Sequence, residues 1–139
     1  MRGAGPMTSA NNALMKAVHA LLTGDAALTA LVGQGGVHDR LLPKPKLPAI
    51  AFGEWETRDY STGTEPGEAH SLTITVWSQA EGRRQAQEIA SRVDTLLHDA
   101  ALTLEGFVLV SLLRTGSRTR REPNTRYLQV ELRYRAVTE

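Results

Sequence analysis

The chain has 139 residues, enough for one globular domain and too few for two of ordinary size. Sixteen basic and fifteen acidic residues leave a net charge of +1, which excludes a strongly basic nucleic-acid coat and an acidic disordered chain. The absence of cysteine excludes disulfides and thiolate sites, and no apolar run reaches the ~18–20 residues of a membrane span. The first residues lack a secretory signal. We therefore expect a cytoplasmic protein with a flexible leader at residues 1–8 and a single domain at residues 9–139.

Two helices and one strand are predicted in the first half of the chain. Leu14 and the apolar residues four, seven and eight positions after it form one face of an amphipathic helix over residues 9–23. Asp25 can cap a second helix that extends to Val32, and a glycine-rich turn follows it. Three prolines then keep the chain extended up to a strand over residues 49–55.

The second half predicts the longest helix and three further strands. Apolar and polar residues alternate over residues 71–77, which predicts a strand paired with the first in a long hairpin. Ser78 and Glu81 fit a capping box, so we expect a helix over residues 79–101, about 35 Å long at 1.5 Å per residue. Two more strands are predicted at residues 107–113 and 127–136.

The predicted order of elements is α-α-β-β-α-β-β, with two hairpins around a helix. This order favours the α+β class, a largely antiparallel four-stranded sheet with helices packed on one face, over a series of parallel βαβ units. In the last strand, Leu128 and alternate residues after it are apolar, whereas Gln129 and alternate residues after it are polar. The uncovered face of the sheet is therefore expected to meet water or a polar partner.

No motif for catalysis or metal binding stands out. The four histidines are scattered and lack the spacing of a metal site. Residues 33–36 are rich in glycine but lack the lysine and the strand–loop–helix order of a phosphate loop, and no serine lies in a G-x-S-x-G motif. Glu54 and Glu56 share a strand face, but such a pair is usually solvated. We therefore expect no enzymatic activity, no metal and no cofactor.

Charge is distributed unevenly along the chain. The acidic stretch, residues 54–68, has a net charge of −4, and the basic stretch, residues 114–135, has a net charge of +5. Thirteen of the sixteen basic residues are arginine, which forms paired contacts better than lysine does. The candidate interface residues are Arg114, Arg118, Arg120, Arg121 and Arg126 on the basic side and Glu54, Glu56, Asp59, Glu65 and Glu68 on the acidic side.

Three interpretations of this charge pattern remain open. Codon bias and a solvated loop explain it without any function. Alternatively, the acidic hairpin and an arginine-rich loop lie on different edges of one subunit and favour head-to-tail contact between copies, with Arg118, Arg120 and Arg121 in subunit or connector contacts. In the third interpretation the arginines contact a nucleic-acid backbone, although Tyr127 is the only aromatic residue near them.

The order and spacing of four stretches resemble the tail terminators, the small tail-completion proteins of long-tailed bacteriophages and gene transfer agents. Together the stretches cover nearly the whole chain after Thr8. They are the leading helix with residues 21–33, the proline-led strand at residues 47–52, the strand at residues 72–78 with Gly82 and the helix ending at residues 93–97, and the closing strand at residues 127–136.

The resemblance implies a structural protein of the particle neck with no catalytic centre. Members of this family form a ring, typically of six copies, that caps the tail tube and ends tube polymerisation. The implied partners are the tail tube protein, the head–tail connector or stopper protein, and DNA that crosses the ring without sequence-specific binding; no membrane is involved. Two alternatives remain open: a head-side connector or stopper of the same particle, and a small nucleic-acid-binding domain.

Overall fold

The computed structural model describes residues 9–139, which contain three helices and six strands in the order α-α-β-β-β-α-β-β-β. The predicted leader at residues 1–8 lies outside the described residues. The helices are α1 (Ala10–Thr23), α2 (Ala26–Val32) and α3 (Arg84–Leu97). The strands are β1 (Val37–His38), β2 (Ala49–Asp59), β3 (Glu68–Ser78), β4 (Thr103–Leu104), β5 (Phe107–Arg121) and β6 (Leu128–Thr138).

The strands form one curled, mixed sheet in the order β1-β2-β3-β6-β5-β4. The four long strands β2, β3, β6 and β5 pair with one another in the antiparallel sense, and β4 is also antiparallel to β5, whereas β1 is parallel to β2. The α+β class is therefore confirmed, but the four-stranded description is wrong in detail because two short strands extend the sheet. A strand of two residues carries no periodicity, so the sequence could not indicate β1 or β4.

The core lies between the helices and one face of the sheet. Alternate residues of β3 from Leu72 and of β6 from Leu128 are buried on this face, where they meet the apolar stripes of α1 and α3. The opposite side chains, such as Ser71 and Arg133, are exposed. This second face, called the open face below, carries the polar half of each alternating strand.

Helix α3 is shorter than predicted and begins later. It has 14 residues, about 21 Å at 1.5 Å per residue, and its N-cap Arg83 makes no capping hydrogen bond through its side chain. The predicted capping box is wrong because Ser78 is the buried last residue of β3. The Ser78 hydroxyl instead donates to Oε1 of Gln85 at 2.6 Å and accepts from the Ala80 N–H at 3.1 Å.

Strand β5 is longer than predicted, and most of the expected arginine-rich loop belongs to it. Residues 116–121 pair with β6, with Arg118 opposite Glu131 and Arg120 opposite Gln129. The apolar alternation ends near residue 113, so the pattern gave no indication that the strand continued. The connection that remains is a turn at residues 122–127, in which the Glu122 carboxylate accepts the backbone N–H groups of residues 124 and 125.

His70 is a buried polar residue on the core face of β3. Its Nδ1 lies 2.9 Å from Oγ1 of Thr57, and its Nε2 lies 3.0 Å from Oγ1 of Thr138. Burial lowers the pKa of His70, and the negative charge of Glu68 opposes this effect in part. The neutral imidazole of His70 therefore links three neighbouring strands, β2, β3 and β6.

Acid is expected to destabilise the fold through His70. Because the pKa of His70 is lowered in the folded state, the unfolded state takes up the proton first, below its pKa of about 6.5. The free energy of unfolding should therefore fall as the pH drops from 7.5 to 5.5, and less so in His70→Gln. Urea midpoints at both pH values test this, with His19→Gln, on an exposed part of α1, as the control. An equal fall in His70→Gln and the unmodified protein would contradict the assignment.

Candidate interaction surface

The open face of the sheet forms a concave groove of about 600 Å³. It arises because the sheet curls and because polar residues occupy one side of each long strand. Side chains lining it are Glu54 and Glu56 of β2, Ser71, Thr73 and Thr75 of β3, Gln129, Glu131, Arg133 and Arg135 of β6, and Thr115 and Arg118 of β5. The groove is therefore polar and charged across four strands.

The acidic residues of β2 and the basic residue Arg118 of β5 lie on opposite sides of this groove. The acidic residues Glu54 and Glu56 belong to β2, and the basic residue Arg118 belongs to β5, with β3 and β6 between these strands. The turn between β2 and β3 lies at the end of the sheet where Glu68 pairs with Thr138. The turn between β5 and β6 lies at the opposite end, where Ser78 pairs with Leu128. One subunit thus has an acidic side and a basic side.

The predicted arginines divide between the two faces of the sheet. Arg118 and Arg120 lie on the open face, where Nε of Arg120 donates to Oε1 of Gln129 at 3.2 Å. Arg114 lies on the helix side, and its Nη1 is 3.5 Å from Oδ2 of Asp94 in α3. Only part of the predicted set is therefore presented on the open face.

Arg121 and Arg126 stabilise the turn between β5 and β6. Nη1 of Arg121 donates to the carbonyl oxygen of Arg126 at 2.9 Å, and Nη2 donates to the carbonyl oxygen of Glu81 at 2.8 Å. Arg126 has a φ of 62°, the left-handed conformation of a tight turn. These contacts give both residues a role within the subunit.

The predicted acidic residues divide in a similar way. Glu54 and Glu56 lie on the open face, and Nε of Arg58 donates to Oε1 of Glu56 at 2.8 Å. Asp59 accepts hydrogen bonds from the hydroxyl and backbone N–H of Ser61, which lower the pKa of the Asp59 carboxyl. Asp59 therefore initiates the hairpin turn. The other two acidic candidates are Glu65 at the exposed tip of that turn and Glu68 at the start of β3.

Both outer long strands leave part of one edge without a strand partner among residues 9–139. β1 pairs with β2 only at Ile50 and Ala51, so residues 53–59 have no strand partner on that side of β2. These residues are called the β2 edge below. β4 pairs with β5 only at Phe107 and Val108, and the segment after α3 forms hydrogen bonds to the backbone of residues 112 and 114. Residues 115–121 form the β5 edge. Unpaired backbone N–H and C=O groups on such edges are ready to pair with another strand.

A polar contact that the sequence did not predict joins α2 to α3. Asp25 caps α2 as predicted by accepting the Leu28 N–H, and it also accepts two hydrogen bonds from Arg92, at 2.8 and 2.6 Å. The hydrogen bond from Arg92 is the main cause that lowers the pKa of Asp25 to about 2, against the opposing effect of burial. Helical spacing alone places Arg92 on the polar face of α3, because it does not reveal a partner 67 residues away.

The Asp25–Arg92 pair predicts a loss of stability in acid. Since the pKa of Asp25 is lowered in the folded state, its contribution is complete above the unfolded value near 4 and disappears as the pH falls to about 2. Asp25→Asn keeps a capping residue but removes the charge, so its urea midpoint at pH 7 should be lower and should change less between pH 5 and pH 3. An unchanged midpoint at pH 7 would mean that the pair contributes nothing.

Residues 9–139 show neither a metal-binding cluster nor a single membrane-spanning helix. Within that range no group of three or more histidine, aspartate or glutamate residues is arranged to hold a metal ion. In the same residues no single helix is long and apolar enough to cross a membrane; α1 and α2 meet the criteria only as a pair bent by 80°.

The fold and its groove define an α+β protein that presents a charged, concave sheet face to its surroundings. The family model described as tail completion protein gp17 matches residues 16–139, and the chain belongs to this family. A solved chain described as the virion of a native gene transfer agent particle is similar to it, with a TM-score of 0.85 and 32% identity over 95% of this chain and 99% of that chain. Comparison with curated proteins gives no match.

Membership in this family confirms the resemblance that the sequence indicated. The tail completion proteins are structural proteins of virions and are not an enzyme family. The chain is therefore a component of a phage or phage-like particle.

Proposed function

We propose that the protein is a tail terminator, which forms a ring of several copies, typically six, on the finished tail tube. The ring ends the addition of tube protein and presents the surface on which the head–tail connector docks. The observation that supports this most is the similarity to a gene transfer agent virion chain over almost the full length of both chains. A likeness over 95% of this chain and 99% of that chain supports a role as a subunit of such a particle.

The charge distribution supports assembly into a ring. The acidic side lies at β2 and the basic side at β5, the two outermost of the four long strands, so they lie on opposite sides of one subunit. Unlike surfaces on one protomer favour head-to-tail contacts, and such contacts close into a ring when the rotation between copies permits. Self-association of this kind requires no cofactor and no catalytic group.

The charge balance also fits a channel through which DNA slides. A net charge of +1 gives little counterion release, and the open-face arginines have polar neighbours, since Arg118 lies opposite Glu131 and Arg120 contacts Gln129. A strongly basic lining would instead hold the DNA. We therefore propose that DNA passes through the ring without tight or sequence-specific binding.

Reconstituted tail tubes test this function. Tube protein is polymerised with and without the purified chain, and tube lengths and ends are recorded by electron microscopy. We expect the chain to bind one end of each tube and to stop further growth when more tube protein is added. Tubes that keep growing while the chain binds portal or connector protein would support the head-side connector instead. A monomer whose DNA affinity falls steeply with salt would support a nucleic-acid-binding domain.

A further inference from the structure

We infer that neighbouring copies join by pairing the β5 edge of one copy with the β2 edge of the next, so that the sheet continues from subunit to subunit. The inference rests on the proposed function, because it describes the contact that would hold that ring together. Both edges are seven residues long, residues 115–121 and residues 53–59. Main-chain pairing along these edges would satisfy the backbone groups that each subunit leaves unpaired.

The directions of the strands permit this contact. β2, β3, β6 and β5 are successively antiparallel, so the two outer strands run in opposite directions. When the next copy is related by rotation about a ring axis and is not turned over, its β2 meets β5 in the antiparallel sense. Antiparallel pairing forms hydrogen bonds perpendicular to the strands and is slightly more stable than parallel pairing. One repeated contact of this kind can close a ring.

A single register also matches the charges on the open face. In this register the opposed residues are Arg118 with Glu56, Arg120 with Glu54, and Gly116 with Arg58. All of these residues lie on the open face of their own strand, so their side chains would meet on one side of the continued sheet. Shifting the register by two residues either places Arg118 against Arg58 or moves Arg120 beyond the acidic pair. The charges therefore select one alignment.

The same charges oppose the competing contacts. Exposed sheet edges are normally protected from association by charges and bulges, and each of these edges begins with a bulge, between Phe52 and Trp55 in β2 and between Arg114 and Gly116 in β5. Two β5 edges would bring arginines together, and two β2 edges would bring glutamates together. Pairing of a β5 edge with a β2 edge avoids both the repulsion between arginines and the repulsion between glutamates. The charges therefore restrict association to the head-to-tail contact.

Cysteine cross-linking in assembled particles tests the register, because the chain has no cysteine of its own. Glu56→Cys and Arg118→Cys are combined in one chain, particles are produced and purified, and the oxidised protein is separated on a denaturing gel without reductant. Within one copy the two positions are three strand spacings apart across the sheet, roughly 14 Å, and they are also four residues out of level, since Glu56 is level with Ser71 and Arg118 with Thr75. This separation is beyond the reach of a disulfide. We expect a ladder of covalent multimers up to the full ring.

Control variants decide the result. Arg58→Cys with Arg118→Cys is out of register on the same face and should give at least several-fold less multimer. Arg118→Cys alone should remain monomeric, and covalent dimers from it would overturn the inference by showing that two β5 edges meet. Glu54→Cys with Arg120→Cys repeats the test at the second pair, in case one variant fails to fold.

The number of copies of the chain per particle distinguishes a failure of the edge pairing from a failure of the proposed ring. It is measured on the same samples by quantitative mass spectrometry. Several copies per particle without cross-links at either matched pair would overturn the edge pairing but leave the ring intact. A single copy per particle would overturn the proposed function itself.

Discussion

Reversing the charge of Arg118 and Arg120 together, as Arg118→Glu and Arg120→Glu, is expected to abolish particle assembly. Both side chains lie on the open face of the β5 edge, and the substitutions would set glutamates against the acidic β2 edge of the next copy. The isolated subunit should stay folded, because a like-charge pair with Glu131 costs only about 0.2–1 kcal/mol. Particle yield by electron microscopy and the urea midpoint of the purified chain measure the two effects separately.

A matched control separates this effect from a change in net charge. Lys44→Glu with Lys46→Glu changes the charge by the same amount at exposed positions in the loop between β1 and β2, and particles should form normally. Adding Glu54→Arg and Glu56→Arg to the Arg118 and Arg120 reversal should restore particles in part. Normal assembly of the arginine reversal alone would contradict the role of these residues.

Arg121 has a structural role within the subunit, unlike Arg118 and Arg120. The sequence grouped it with Arg118 and Arg120, but its guanidinium binds the carbonyl oxygens of Glu81 and Arg126 within the subunit. Reversing its charge would remove both hydrogen bonds and disturb the turn before β6. Arg121→Gln is therefore expected to lower the urea midpoint of the isolated chain, an effect distinct from lost contact between copies.

Replacing Tyr134 is expected to have the largest effect on the stability of the isolated subunit. The side chain is 1% exposed and its hydroxyl donates to Oδ1 of Asp94 at 2.9 Å, while burial, followed by Asp94, raises the pKa of the tyrosine. Tyr134→Ala would leave a large cavity and should cost about 3–5 kcal/mol, by comparison with other large aromatic residues. Tyr134→Phe removes only the hydrogen bond and should cost about 1.5 kcal/mol.

Urea unfolding of both variants measures these costs. A small domain has only about 5–15 kcal/mol of stability, so Tyr134→Ala should show a much lower urea midpoint or a substantial unfolded fraction. Tyr60→Ala, at a site 53% exposed, is the control and should lie within about 1 kcal/mol of the unmodified chain because it loses only a surface contact with Arg135. Equal stabilities of Tyr134→Ala and Tyr60→Ala would contradict the account of the core.

The sequence predicted the elements whose apolar residues are periodic. The core strands around residues 72–76 and 128–136 and the helix ending at Thr23 all bury one regular set of side chains. The start of α3 was missed because Ser78 has the residue type of a cap but lies at the buried end of a strand. The far half of β5 was missed because its pairing depends on β6 rather than on its own alternation.

The charged stretches were visible in the sequence, but the division of their side chains between the two faces was not. Arg114 and Arg118 are four residues apart and would share a face in a regular strand. A bulge between Arg114 and Gly116 shifts the alternation by one residue, so Arg114 faces α3 and Arg118 faces the groove. A bulge depends on the backbone of two paired strands, and no composition rule would have located this one.

The most direct test of the ring is electron cryo-microscopy of intact particles that contain this chain. We expect a closed ring of several copies at the head-proximal end of the tail tube, with the β5 strand of each copy beside the β2 strand of its neighbour. A density map that contains one isolated copy per particle, or places the chain away from the junction between tail and head, would contradict it.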